Sequence, residues 1–268
     1  MRRANPTSES PRRRERSGDF WTPRRVAWYA RATAAGDYAA RVLDVLGDVL
    51  PACRTALDVG AGFGALTLPL ARRLDAVTAL EPAAAMVTAL RTAVARADAR
   101  NVTVIEARWE DARPGSHDLV VCAHVGHLLE GGSSFLAALP ALTGVGAALV
   151  ADAPDQTGKF FFDELYPRLL GRPYRRPDRA CTNWEETAEA LARQGQTTTA
   201  VPIIYASDQP FDSLEEACDF WMDYMGLADA GARAYLRDYL RARLVRRGET
   251  WVAPFRKRAV VVIARTRL

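Results

Sequence analysis

The stretch LDVGAGFG, residues 57–64, decides how this chain is read. The run that leads into it, TALDV (55–59), is short and apolar, as a strand buried on both faces should be. Gly60, Gly62 and Gly64 follow at every second position, and a backbone without Cβ atoms there can turn tightly and admit a ligand close to the chain. ALTLPLARRL (65–74) reads as the next helix, whose first turn would offer unpaired N–H groups to that ligand. Strand, glycine-rich turn and helix in this order form the opening unit of a doubly wound sheet that binds a nucleotide-containing molecule.

Two details narrow the ligand. The spacing is GxGxG, which departs from the GxGxxG of dinucleotide sites. Asp58 also lies where a pyrophosphate would approach, and a carboxylate there repels phosphate and suits an ammonium. Glu81 closes the next apolar run, AVTAL (76–80), and an acid at that place can accept both hydroxyls of a ribose. The ligand so described has a ribose, a positive charge and no phosphate.

Outward from the loop the pattern keeps alternating. AAAMVTALRTAVARA (83–97) reads as a helix, NVTVIEA (101–107) and HDLVVCA (117–123) as strands, 132–142 as a helix and AALVA (147–151) as a strand. The Gly144–Gly146 pair reads as the turn between the last two. This predicts an α/β fold with a mostly parallel sheet covered by helices on both faces. Residues 20–50 read as two helical segments broken at Gly36, and residues 1–19 as a disordered Arg-rich tail. After Asp152 the rhythm breaks into aromatic-rich segments, with a helix from Trp184, a strand at TTTAVPIIYA (197–206), one or two helices over 213–246 and a final strand RAVVVIAR (258–265). Pro202 marks an edge or bulge in its strand.

In order and spacing these motifs resemble the class I S-adenosylmethionine-dependent methyltransferases. LDVGAGFG looks like their glycine motif, TALEPAAAM (78–86) their second-strand motif, VIEARWEDA (104–112) their adenine-side loop, and HDLVVCAHVGHL (117–128) their fourth strand and following turn. The resemblance implies a Rossmann-like sheet of seven strands, with residues 20–50 as lid helices, 51–152 as the cofactor-binding core and 153–268 as acceptor-binding insertions carrying the last two strands. It implies S-adenosylmethionine as cofactor. Asp58 would take the methionine ammonium, and Gly60, Ala61 and Gly62 would pass close to the methionine and ribose. Glu81 and Pro82 would lie at the ribose, Met86 near adenine, and Trp109 and Glu110 would flank the base. That loop departs from the family's Asp-small-residue pattern, so Arg108 competes with Trp109. Tyr29 would reach the cofactor carboxylate or anchor the lid with Trp28, and Ala123 would close the fourth strand. Read without the family, Asp58 and Glu81 could equally be strand-end carboxylates satisfied by backbone N–H groups.

Cys122, His124 and His127 cluster after the fourth strand, but no further ligand has metal-like spacing, and the reading is no metal. His124 is the candidate catalytic residue, a base near the reacting methyl; His127 reads as packing and His117 as facing solvent. Arg supplies 34 of the 36 basic residues, leaving Lys159 and Lys257 as the lysines. The overall charge of +4 comes from residues 1–25 (net +5) and 233–258 (net +7), while the rest carries −8. The Arg spacing of the second block fits the wet face of a helix, so nucleic acid is not the expected partner. The 21 uncharged residues 131–151 are too rich in Gly and Pro for a membrane span, the N-terminus has no secretory h-region, and the cysteines are unpaired, all of which suits a cytoplasmic protein. The expected activity is methylation of a small organic acceptor on O, N or C, in the manner of natural-product tailoring. An RNA or protein acceptor, or a non-catalytic cofactor-binding homologue, are the competing readings.

Overall fold

A computed structural model describes residues 20–154, 159–174 and 183–265. The expected tail over residues 1–19 and Cys181 lie outside them. TALDV forms β1 (Thr55–Val59) at the centre of a seven-stranded sheet. Its companions are β2 (Ala76–Glu81), β3 (Val102–Glu106), β4 (His117–Ala123), β5 (Thr143–Asp152), β6 (Thr197–Ala206) and β10 (Arg256–Arg265), in the order β3-β2-β1-β4-β5-β10-β6. The first five pair in parallel, and β10 runs antiparallel to both its neighbours. The chain order reverses between β1 and β4, the switch point at which such sheets bind ligands.

Because side chains alternate along a strand, one set of residues faces each side. Ala56, Val77, Leu119, Val121, Val150, Ala259 and Val261 pack under α2 (Tyr38–Val45) and α3 (Thr67–Ala71), with Val42, Leu46 and Leu70. Leu57, Val59, Val120, Leu149 and Val262 face α6 (Ser134–Leu142) and α8 (Trp184–Arg193), with Phe135, Leu139 and Leu191. The helix α4 (Ala84–Arg96) seats Leu90 on Ala79 and Ala61, on the first side.

The third core belongs to the C-terminal insertion. The helices α7 (Phe162–Leu170), α9 (Leu214–Met225) and α10 (Ala230–Arg243) pack with a small sheet of β7 (Gln209–Phe211), β8 (Val245–Arg247) and β9 (Thr250–Ala253). Phe160, Phe211, Phe220 and Trp221 fill it, and Trp221 Nε1 donates to the Phe160 carbonyl at 2.7 Å. α1 (Pro23–Ala34) inserts its fully buried Trp28 into the same core.

Four local expectations change. The helix after the glycine loop begins at Thr67, three residues beyond Gly64. No turn separates α6 from β5: Gly144 and Gly146 belong to the strand, and a Cβ on Gly146 would lie 3.0 Å from the Ala264 carbonyl of β10. Gly146 thus serves close strand packing, and a glycine kept for that reason mimics turn composition in sequence. The segment 213–246 divides at Gly226 into α9 and α10, and then gives β8. The strands β7, β8 and β9 are three or four residues each, too short for a readable alternation. Pro202 does lie on the edge strand β6.

Candidate functional site

Alternation on the first face ends in a row of polar groups along the carboxyl edge of the sheet. Val77 and Ala79 lead to Glu81 on β2, Ala56 to Asp58 on β1, Val150 to Asp152 on β5, and Ile203 to Tyr205 on β6. β10 enters from that edge, so Lys257, opposite Tyr205 and two residues before Ala259, joins the row. His124 follows β4, and its N–H donates to the Val150 carbonyl at 2.8 Å.

Glu81 and Asp58 form the first half. Glu81 Oε2 accepts from the Gly62 N–H at 2.9 Å and Oε1 from the Ala83 N–H at 2.8 Å, so this carboxylate fastens the glycine loop to the end of β2. Asp58 is 2% exposed and accepts from the Thr67 hydroxyl at 2.6 Å. Burial, and then the charge of Glu81, push Asp58 up to about 6 against the pull of Thr67; burial also raises Glu81, against its two backbone donors. Both acids thus have the internal partners of the family-free reading, and each oxygen keeps a lone pair for a ligand. The N–H groups of Gly60 and Ala61 both bond the Leu80 carbonyl, and that of Gly64 the Ala61 carbonyl. The loop therefore offers carboxylates in place of the expected free N–H donors, which suits a cation and a diol.

Gly60 has φ +73° and Gly62 φ +57°, a region that side chains resist. A Cβ on Gly60 would also meet Val125 Cγ2 at 2.2 Å, so the turn after β4 lies directly against the glycine loop. Over Gly62 the nearest atom is Met86 Sδ at 3.9 Å, which leaves a cradle. Met86 is buried with Val26 and Ala83, against Trp21, Tyr29 and Phe63. Tyr29 stacks on Trp21 (5.4 Å, 24°) and meets Phe63 edge-on (5.2 Å). Burial, and then the charge of Asp152, push its hydroxyl up to about 12, while its neighbour Trp28 anchors α1 in the aromatic core. Trp109 packs on Phe135 and donates to the Ser134 hydroxyl at 3.2 Å. Glu110 and Pro82 are exposed, Ala123 is half-buried, and Ala61 turns its methyl into the core under α4.

The second half is a linked group. His124 adopts φ +59°, a left-handed conformation that costs a non-glycine residue of order 1–3 kcal/mol and persists only where surroundings enforce it. Its Nδ1 lies 2.8 Å from Asp152 Oδ1, and its Nε2 lies 3.1 Å from the Tyr205 hydroxyl. Lys257 Nζ lies 2.9 Å from the same Asp152 oxygen and 3.5 Å from His124 Nδ1. Burial would raise Asp152, but Lys257 and His124 more than reverse it and hold the carboxyl far below the usual carboxylate range. Burial, then Tyr38, Tyr29 and Asp152, push the Tyr205 hydroxyl far up, so it stays protonated. Tyr38 closes the group, its ring 4.8 Å from Tyr205 and 5.5 Å from His124. It is 6% exposed, and its hydroxyl has no hydrogen-bond partner among the described residues. A buried acid raised toward neutrality, an orphaned hydroxyl and an open cradle are what a cationic ribose-bearing ligand would complete.

The other histidine expectations change. His127 is exposed on the short helix α5 (Gly126–Leu129), because the buried side of that turn is taken by Leu128 and Leu129. His117 is half-buried, with Nε2 2.9 Å from the Thr78 hydroxyl of β2. Cys122 lies in the core on the opposite sheet face from the row. Sequence reasoning missed Tyr38, Asp152, Tyr205 and Lys257. Asp152 carries the same signal as Asp58 and Glu81, an acid ending an apolar strand, and Lys257 is rare by type; the tyrosines carry none.

A sequence profile described as a methyltransferase domain matches residues 56–140, from β1 to the end of α6. Residues 56–140 are thus a methyltransferase domain, and the sheet order with its single antiparallel strand is consistent with the class I S-adenosylmethionine-dependent methyltransferases. That domain supports a methyltransferase that uses S-adenosylmethionine. No curated protein matches the chain. Among solved structures, a candidate methyltransferase from Bacillus halodurans is similar at 16% identity and a TM-score of 0.51, covering 85% of this chain and 97% of that one. A protein described for converting a disulfide bond into a thioacetal group during echinomycin biosynthesis is similar at 16% identity and a TM-score of 0.50, covering 79% of this chain and 75% of that one. The magnesium protoporphyrin IX methyltransferase of Synechocystis, with S-adenosylhomocysteine bound, reaches 14% identity and a TM-score of 0.49, covering 85% and 83%. Among the described residues of this methyltransferase, no helix is long and apolar enough to cross a membrane.

Proposed function

We propose that this methyltransferase acts on a hydroxyl oxygen of a small organic acceptor, with His124 as the base. The observation that carries the reading is the buried Asp152–His124–Tyr205 chain beside the glycine loop. Bound S-adenosylmethionine supplies an electrophilic methyl group on a cationic sulfur. Asp58 would receive its ammonium and Glu81 its ribose hydroxyls, over the Gly60–Gly62 turn. Met86 and Trp109 would border the adenine, with Glu110 at its outer rim and Tyr29 over the methionine end.

Asp152 accepts from His124 Nδ1 and so fixes the proton on that nitrogen. Nε2 is left as the basic lone pair, toward which Tyr205 donates. An acceptor hydroxyl that donates to the Tyr205 oxygen can give up its proton as Tyr205 passes its own to Nε2. The imidazolium so formed rests against the Asp152 carboxylate, and Tyr205 ends neutral. The chain's remaining task is to align the oxygen and exclude water. Tyr205 is 4% exposed and the His124 side chain 15%, which favours a small acceptor over a polymer. The basic C-terminal block points the same way. Arg233 pairs with Glu215 and Asp219, Arg237 with Glu215, Arg243 with Glu164, and Arg247 with Asp208, so these guanidiniums are engaged within the protein.

The test is methyl transfer from labelled S-adenosylmethionine to a panel of small phenols and enols. His124→Asn should lower the rate about 100- to 10,000-fold and leave S-adenosylhomocysteine affinity unchanged, while the exposed neighbour His127→Asn should match wild type. A His124→Asn rate within about threefold of wild type, which falls outside the range for loss of a base, would remove His124 from the mechanism.

A further inference from the structure

We propose that Lys257 is a positioning residue that holds His124 unprotonated at neutral pH by sharing the Asp152 carboxylate with it. The inference rests on the reading of His124 as the base. An Asp–His pair alone has an unwanted consequence for a base: the carboxylate stabilises the imidazolium, and the histidine starts the reaction already protonated. Here the carboxylate has a second claimant. The Lys257 ammonium is 2.9 Å from the oxygen that His124 Nδ1 meets at 2.8 Å, and 3.5 Å from Nδ1 itself. It already neutralises Asp152, and it repels a positive charge on the ring. Side-chain exposures of 15% for both Lys257 and His124 leave little solvent to screen this.

The groups that face His124 from every neighbouring element agree. Asp152 comes from β5, Lys257 from β10, Tyr205 from β6 and Tyr38 from α2, with Tyr29 of α1 and Asp58 of β1 beyond them. The tyrosines are held neutral by burial, so Asp152 and Lys257 are the opposed charges in contact with the ring.

The residue type supports the assignment. In a chain whose other basic residues are Arg save one, and between Arg256 and Arg258, this position is Lys. A guanidinium takes a carboxylate with both arms of its fork, whereas an ammonium is a compact point charge that can leave part of the carboxylate to His124.

The test is an NMR pH titration of the imidazole resonances in the full-length, ligand-free protein, with His117 and His127 as internal references. Lys257→Met should raise the His124 titration point by roughly one to three pH units, and Lys257→Gln should do the same. Lys257→Arg, which keeps the charge, should leave it low. In turnover, the acidic limb of the kcat profile should move up with the Met variant while the high-pH plateau is kept; a merely structural role would lower the plateau and leave the limb in place. An unmoved His124 titration in folded Lys257→Met or Lys257→Gln overturns the proposal. Because the titration needs no acceptor, it is independent of the rate test on His124→Asn: a fully active His124→Asn would remove the base, and an unmoved titration would remove only the role of Lys257.

Discussion

Asp58 sits fully buried with one hydroxyl partner, and its carboxyl is raised to about 6 from 3.8. A folded-state pKa above the unfolded one lends stability that is complete below the unfolded value and is lost as pH rises through the folded value. The window for Asp58 is therefore about pH 4 to 6, with a ceiling of roughly 3 kcal/mol at about 1.4 per unit. A cation placed against the ionised carboxylate reverses the penalty. The ligand-free protein should thus lose thermal stability as pH rises from about 4 to 6 by a component absent from Asp58→Asn, and S-adenosylmethionine should bind more tightly as pH rises through the same window. Melting curves across pH, with and without the cofactor, check both. Parallel curves for the two proteins would show that Asp58 does not titrate there. Glu81 differs in kind: its two backbone bonds make it part of the loop's own structure, so its replacement should loosen the loop as well as the ribose site.

At the scale of elements, the seating of α2 on the end of β6 sets the side proposed to face the acceptor. Asp37, at the start of α2, accepts from the Ala206 N–H at 2.8 Å, and a Cβ on Gly36 would stand 2.1 Å from the Ala206 carbonyl. That approach is what brings Tyr38 against Tyr205 and His124. Backbone lies on both sides of the clash, so neither partner can move aside by a rotamer change. Gly36→Ala should therefore cost about 1–3 kcal/mol in urea unfolding and lower kcat/KM by tilting α2 away from β6. A variant of unchanged stability and activity would mean that α2 is not held by this contact. The break at Gly36 is readable in sequence as an interruption of helical periodicity; its role as a docking point is not, because Ala206 is 170 residues away.

At the scale of the molecule, α1 is shared between the glycine-loop side of the sheet and the insertion. Val26 and Tyr29 face Met86 and Phe63, while Trp28 enters the aromatic core and donates to Glu216 at 3.0 Å. Arg24 pairs with Asp219, Arg31 with Glu216, and Arg25 with Asp223 at 2.5 Å, with a second bond from Arg25 to the Asp223 carbonyl at 3.0 Å. α1 is thereby clamped to α9, and the two should move as one body. Arg25→Glu should weaken S-adenosylhomocysteine binding and lower Tm, and the swap Arg25→Glu with Asp223→Arg should restore both in part, with a coupling of about 1 kcal/mol. Calorimetry and melting on the four proteins of the cycle measure it. Additive effects would mean that the clamp does not couple α1 to the insertion.

The sequence by itself determined the half of the site proposed to hold the cofactor. Asp58, the Gly60–Gly64 turn and Glu81 fall within a strand, its turn and the next strand, and local backbone geometry fixes their relation once those strands pair. The alternation that follows sufficed for the sheet, since fully apolar runs separated by helical periods can be buried in few other ways. The half proposed to face the acceptor was decided by the tertiary structure. Tyr38, His124, Asp152, Tyr205 and Lys257 come from five separate elements spread over 220 residues, and none has a neighbour in sequence that predicts its partner. They meet because β10 enters the sheet in reverse between β5 and β6, which puts the start of one strand beside the ends of two others. Strand direction and register at that edge depend on contacts summed over the whole sheet, and no single segment carries them.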